Sequence, residues 1–114
     1  MHLSTYQEKA ARTSHLHTAP WATPKERLAM AVLWLTSEAG EVADEAKDVL
    51  AAASDAARGT AEARMAEELG DVLWMVAECC TLLGVNLEDI AREQLAKQER
   101  RYVDLVRLHD TEGR

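Results

Sequence analysis

Four carboxylates stand out by type and spacing. Glu38 and Glu41 are three residues apart, and so are Glu68 and Asp71. On a helix, an i, i+3 pair projects from one face. In an antiparallel hairpin whose turn centres near residues 54 and 55, Glu38 meets Asp71 in height and Glu41 meets Glu68. The mismatch of about three residues with the break expected between Ala53 and Thr60 is an overhang that a bundle absorbs. Four negative charges at one level repel and raise one another's pKa values, and a hard divalent cation removes that conflict. The donors are oxygens alone, with no His or Cys beside them, which suits Mg²⁺ or Mn²⁺ better than zinc. Magnesium keeps waters and favours substrate phosphates, so the chemistry suggested is transfer of a nucleotide phosphate to water. Glu45 and Asp48 extend this acidic edge, and Arg64 and Glu78 flank its counterpart. The same spacing also occurs on solvated helix faces, and the chain has 20 acidic residues. Spacing alone therefore does not make the site.

The elements that must position these residues are helices. A first helix spans Leu3 to about Thr13, with Ser4 and Gln7 spaced as a capping box. Residues 14–23 (SHLHTAPWAT) have no helical period and contain Pro20, so they read as a long loop. Thr23, Pro24 and Glu26 give the second helix a capping box with Pro at its first position. Its apolar stripe runs Leu28, Val32, Leu35, Ala39, Val42, Ala46, Val49 and fades near Ala53. Gly59 and Thr60 mark the turn into a third helix, about Ala61 to Leu83, striped by Met65, Leu69, Val72, Val76, Cys80 and Leu83. Gly84 stops it. Asn86 caps a fourth helix, with Leu87, Ile90, Ala91, Leu95 and Gln98 on its apolar side, which continues to around Leu105. Residues from His109 onward are expected to fray.

The chain of 114 residues is read as one domain, 1–114, of all-α class, a four-helix bundle whose two long antiparallel helices carry the acidic site. A second helix of about 30 residues would be roughly 45 Å long. So long an apolar stripe on so small a chain calls for a partner, and an oligomer is expected. The net charge of −7 disfavours nucleic acid, whose phosphates need Lys and Arg. No secretory signal or membrane-length apolar run is visible, so the expected setting is cytoplasmic. Cys79 and Cys80, adjacent on a helix, point about 100° apart and read as reduced thiols, with Cys80 toward the core.

The words around the carboxylates, SEAGEVADEAKD (Ser37–Asp48) and EELGDVLWMVAE (Glu67–Glu78), resemble the two halves of the MazG-like nucleoside triphosphate pyrophosphohydrolase signature. The 26 residues between Glu41 and Glu68 fall within that family's range, and YQEKAART and GVNLEDIAREQLAKQERRY extend the resemblance to nearly the whole chain. It implies an all-alpha fold and hydrolysis of (deoxy)nucleoside triphosphates to monophosphate and pyrophosphate, in a house-cleaning role. It also implies Glu38, Glu41, Glu68 and Asp71 as Mg²⁺ ligands, with Glu41 or Glu45 as the base. Lys47, Lys97, Arg100 and Arg101 are candidates for binding the triphosphate. Lys97 and Arg101 match a Lys and an Arg of the family's C-terminal helix, while Gln94 stands where the family usually has Asn. Compact relatives commonly form homotetramers, with a dimer as the other arrangement.

Among the aromatics, Trp21 in the loop is a candidate for stacking on a base, whereas Trp34 and Trp74 read as core or interface. His15 and His17 alternate like metal ligands on a strand, but no strand is predicted, so they read as exposed loop residues. The rival reading is a non-catalytic acidic helical interaction or oligomerisation protein. A carboxylate-bridged di-iron bundle would need Glu-x-x-His pairs, and the chain has none.

Overall fold

The computed structural model describes residues 1–15 and 19–111. Among these the chain is all-helical: α1 (Leu3–Ala11), α2 (Pro24–Ala51), α3 (Asp55–Leu83), α4 (Leu87–Arg101) and α5 (Val103–Thr111). The all-α expectation is borne out, with five helices in place of four. Packing is uneven. Helix α2 touches α3 alone, α1 and α4 pack on α3 and on each other, and α5 touches only α4.

The start of α2 follows its local chemistry. The Thr23 hydroxyl accepts from the Glu26 amide at 3.2 Å, and the Glu26 carboxylate accepts from the Thr23 amide at 3.1 Å. Pro24, whose missing N–H would have no partner there, opens the helix. The connection to α3 is only residues 52–54, and Ser54 caps α3 by accepting from the Ala57 amide at 3.1 Å. Gly59 and Thr60, expected to form the turn, lie inside α3. The Ser54 cap and Asp55 in the first turn start the helix earlier. Thr60 fits the interior because its hydroxyl donates to the Ala56 carbonyl at 3.1 Å.

The α2–α3 seam advances by alternating steps of three and four. On α2 its buried or half-buried positions are Leu28, Ala31, Leu35, Glu38, Val42, Glu45 and Val49. On α3 they are Ala61, Met65, Glu68, Val72, Met75, Cys79 and Leu82. This is the 3.5-residue period of paired helices, and three of its positions are filled by glutamates. The expected stripes placed Val32, Ala39, Leu69 and Leu83 toward the core. These residues are exposed because the seam takes Ala31, Glu38 and Glu68 in preference to apolar neighbours one position on.

At the far end of α3, a second small core joins Ala10 of α1 with Ala77, Cys80 and Leu87, flanked by Leu3, Tyr6, Trp74 and Val76. Cys79 and Cys80 are free thiols, Cys80 being the buried one. Gln7 does not cap α1, whose N-terminal residue His2 makes no side-chain cap bond. Its amide instead donates to the Val85 carbonyl at 2.8 Å and accepts from the Leu87 amide at 2.7 Å, clamping the α3–α4 turn. Gly84 adopts φ 72°. The Val85 amide reaches the Cys80 carbonyl at 2.9 Å and the Gly84 amide that of Thr81 at 3.1 Å, the Schellman closure that a left-handed glycine permits.

Asn86 caps α4, accepting from the Glu88 amide at 2.8 Å. The fourth helix does not run unbroken to Leu105. The backbone leaves the helical region at Tyr102 (φ −121°, ψ 45°), where an aromatic and a β-branched residue, both weak helix formers, follow each other. Helix resumes through Thr111, past the point where fraying was expected. His17 lies outside the described residues.

Candidate metal centre

The seam pattern sets the site. Glu38 and Glu68 occupy inward seam positions on facing helices, and both are half-buried. Glu41 lies at the edge, one turn along α2 from Glu38. One carboxylate oxygen from each of Glu38, Glu41 and Glu68 lies within 4.8 Å of the other two. Asp71 is exposed, one turn along α3 from Glu68, and it acts electrostatically on both Glu38 and Glu68. The four expected ligands thus face one space across the hairpin, three of them in close convergence.

The electrostatics record crowding. Glu68 is pushed up to about 7, first by a hydrogen bond shared with Glu41 that only the acid form can make, then by desolvation and the charges of Glu41, Asp71 and Glu38. Glu38 is raised as well, by desolvation first and then by Glu41 and Asp71. Among the described residues no basic side chain pairs with Glu38, Glu41 or Glu68. Arg64, the basic residue at this edge of α3, is taken by Glu45 at 3.1 Å and lies 3.9 Å from Asp48. Glu68 also has a buried oxygen, Oε2, with no hydrogen-bond partner among the described residues. A buried acceptor left unsatisfied is costly.

A divalent cation fits these residues. Magnesium–oxygen bonds of about 2.1 Å put neighbouring ligand oxygens about 3 Å apart and opposite ones about 4 Å apart. A cluster within 4.8 Å reaches that spacing by small side-chain rotations. Bound there, the cation would give the Glu68 oxygen a partner and offset the mutual repulsion.

Beside the carboxylates lies a cavity of about 250 Å³ lined by His15, Trp34, Glu38, Asp71, Trp74 and Met75. Trp34 and Trp74 are two of its walls, and Trp74 also packs against the core as expected. A signal was present in the spacing. Trp34 stands four residues before Glu38 and Trp74 three after Asp71, on the faces that carry the ligands. Glu78, expected at an acidic edge, is instead buried and accepts a hydrogen bond from the Ser14 hydroxyl.

The other expected substrate contacts are not gathered here. Trp21 is 68% exposed and lines no described cavity. Lys47 pairs with Asp44 at 3.1 Å. Gln94, Lys97, Arg100 and Arg101 are exposed on α4, which makes no contact with α2. Glu45 sits in the seam, bonded to Arg64 and outside the convergent trio. No helix among the described residues is long and apolar enough to cross a membrane.

Comparison with known proteins agrees with the site's character. No solved structure matches the chain. The chain is 31% identical over 101 residues to the Gene 37 protein of Mycobacterium phage L5, covering 89% of each. The family model for the MazG nucleotide pyrophosphohydrolase domain matches residues 27–106, from the first turn of α2 into α5. A hairpin of two long helices presenting paired carboxylates, matched along most of its length by that model, makes this chain a member of the MazG nucleotide pyrophosphohydrolase domain family.

Proposed function

We propose that this protein hydrolyses nucleoside or deoxynucleoside triphosphates between the α- and β-phosphates, releasing a nucleoside monophosphate and pyrophosphate. The observation that carries this reading is the convergence of Glu38, Glu41 and Glu68, the last of which also holds a buried carboxylate oxygen with no hydrogen-bond partner among the described residues. Glu38, Glu41, Glu68 and Asp71 would hold Mg²⁺, or Mn²⁺ in its place. Bound there, the metal would polarise the α-phosphate and acidify a water. The protein's own residues do the rest. Water adds to the α-phosphorus, the bond to the bridging oxygen breaks, and pyrophosphate leaves. The proton passes to a carboxylate at the edge of the cluster. Glu41 is better placed than Glu45 to receive it, because the Arg64 guanidinium already occupies Glu45.

The cavity beside Glu38 and Asp71 offers the nucleoside a space walled by indole and imidazole rings. Lys97, Arg100 and Arg101 bind the triphosphate in this reading, reaching the cluster from a second copy, since α4 of the same chain does not approach α2. A homo-oligomer, tetramer or dimer, is therefore part of the proposal, as are a cytoplasmic setting, a house-cleaning role and the absence of a nucleic-acid partner. The rival reading, a non-catalytic interaction protein, draws support from the large exposed apolar residues, among them Leu33 at 70% and Leu69 at 52%.

Product analysis separates the two. Incubation with each common nucleotide and Mg²⁺ is expected to yield monophosphate and pyrophosphate in equal amounts, without orthophosphate. Glu41→Gln and Asp71→Asn are expected to lose at least about 100-fold in rate, since even residues that only support metal ligands are worth 10–100-fold. Both should keep the wild-type helical circular dichroism. Full activity in either variant would remove that residue from the centre, and no turnover by wild type with any nucleotide would favour the interaction protein.

A further inference from the structure

One face of α3 carries Asp71, Trp74, Met75 and Glu78, the i, i+3, i+4, i+7 pattern of a single helical stripe. Asp71 belongs to the carboxylate cluster, and Trp74 and Met75 line the cavity beside it. Glu78, at the end of the stripe, is 2% exposed. A buried carboxyl is a costly way to fill space, and an apolar side chain of similar volume is often as stable or more so.

A hydrogen-bond partner of Glu78 lies outside the helix. The Ser14 hydroxyl, itself buried, donates to Glu78 Oε1. One residue earlier, Thr13 Oγ1 accepts from the Trp74 indole N–H at 3.2 Å. One residue later, His15 lines the cavity together with Glu38 and Asp71. Residues 13–15 are therefore strapped along the stripe by two hydrogen bonds, and the strap ends on the cavity wall. Beyond it the chain is pinned again where the Arg27 Nε donates to the Ala19 carbonyl at 3.1 Å.

We propose that Glu78 is a positioning residue: through Ser14 it fixes His15 as the wall against which the substrate's base seats, so that the strap determines which bases are accepted. The inference rests on the proposed pyrophosphohydrolase activity and assigns the base-discriminating element to a segment that precedes residues 27–106, the stretch matched by the family model.

The test uses Ser14→Ala, Ser14→Thr, Glu78→Met, His15→Ala and the Ser14→Ala/His15→Ala double variant of the full chain. Mn²⁺ titration followed by electron paramagnetic resonance reads the carboxylates alone. Binding of α,β-imido deoxynucleoside triphosphates, which cannot be cleaved at the scissile position, reads the cavity. Pyrophosphate release from a panel of triphosphates gives kcat and KM. For Ser14→Ala, we expect unchanged Mn²⁺ affinity, KM and imido-nucleotide Kd raised about tenfold, kcat nearly constant and preference among bases flattened. Ser14→Thr, which keeps the hydroxyl, should restore the preference. The double variant should be no worse than His15→Ala, because both changes remove one wall. Glu78→Met should repeat the Ser14→Ala result if it folds, and Ser14→Ala decides the matter if it does not. An active wild type whose Ser14→Ala and His15→Ala variants melt earlier but keep KM, Kd and base preference would overturn the strap alone. A wild type that releases no pyrophosphate from any nucleotide would overturn the activity and the strap's role together.

Discussion

Glu68 and Glu38 make the sharpest statement at the scale of single residues, because the fold holds both above the ordinary carboxylate range. An acid whose folded-state pKa is raised binds its proton more tightly in the native state than in the unfolded chain. Its contribution to stability is complete below the unfolded value and is lost as pH rises through the folded one. For Glu68 that window runs from the ordinary 4.5 to about 7. The metal-free protein in EDTA is therefore expected to lose thermal stability steadily from pH 4.5 toward 7.5, contrary to the usual trend for salt-bridged carboxylates. Glu26, lowered by its capping bonds to Thr23, contributes above the ordinary carboxylate value and loses that contribution only at lower pH, outside this window. Saturating Mg²⁺ should reverse the fall, since the cation binds the ionised cluster and stabilises the state it binds. Glu68→Gln should raise the melting temperature of the metal-free protein at pH 7.5 and abolish the gain from Mg²⁺. Melting curves followed by circular dichroism across this range, with and without metal, check the argument, and a flat metal-free profile would contradict it. The residues of this cluster were legible in the sequence as pairs. Their burial was not, because spacing places Glu38 and Glu68 on a face without saying that the face is the seam.

At the scale of elements, caps were legible and the carboxylate pairing put the α2–α3 turn near residues 54 and 55, whereas the helix boundary was drawn too late. The Thr23–Glu26 box, the Gly84 stop and the Asn86 cap each rest on local chemistry that a short stretch of sequence encodes. The α2–α3 turn rests on the Ser54 cap, and the nearby Gly59 drew the expected start of α3 to about Ala61, six residues past its actual start at Asp55. Ser4 and Gln7 misled in the other direction, since a spacing that fits a cap cannot show that Gln7 has a stronger use between distant helices. The corrected boundary has a consequence of definite sign. Gly59 lies within α3, and a Cβ there would meet nothing within 4 Å. Gly59→Ala is therefore expected to stabilise the protein by up to about 1 kcal/mol, the usual difference between the two residues in a helix. Gly84 also has open space around it but sits at φ 72°, so Gly84→Ala should destabilise by about 1 kcal/mol through backbone strain. Urea denaturation of both variants reads the two signs side by side. A destabilising Gly59→Ala would return the turn to residue 59.

On the scale of the whole molecule, the stripe that misplaced the core reads differently. The apolar pattern was broader than the hairpin seam can cover, and the residues left over are Val32, Ala39 and Leu69, on the edge of the seam away from Glu41 and Asp71. The hairpin thus has an acidic edge and an apolar one. Its radius of gyration of 17.8 Å exceeds the roughly 13 Å of a compact domain of this length, because among the described helices α2 packs on α3 alone. The homo-oligomer proposed above would bury this edge, where Val32 is 47% and Leu69 52% exposed, against a second copy of the chain. Sedimentation equilibrium at micromolar concentration is expected to give a multiple of the 12.6 kDa chain, and Val32→Glu/Leu69→Glu should lower it toward the monomer while leaving the helical spectrum intact. If α4 of a second copy supplies Lys97, Arg100 and Arg101, the same variant should lose triphosphate hydrolysis but retain Mn²⁺ binding at Glu38, Glu41, Glu68 and Asp71. The carboxylate cluster is built within one hairpin, whereas the cations for the triphosphate would come from a neighbour. An assembly-deficient variant with full activity would place the whole site within one chain, and a monomeric wild type would leave the apolar edge without its proposed partner.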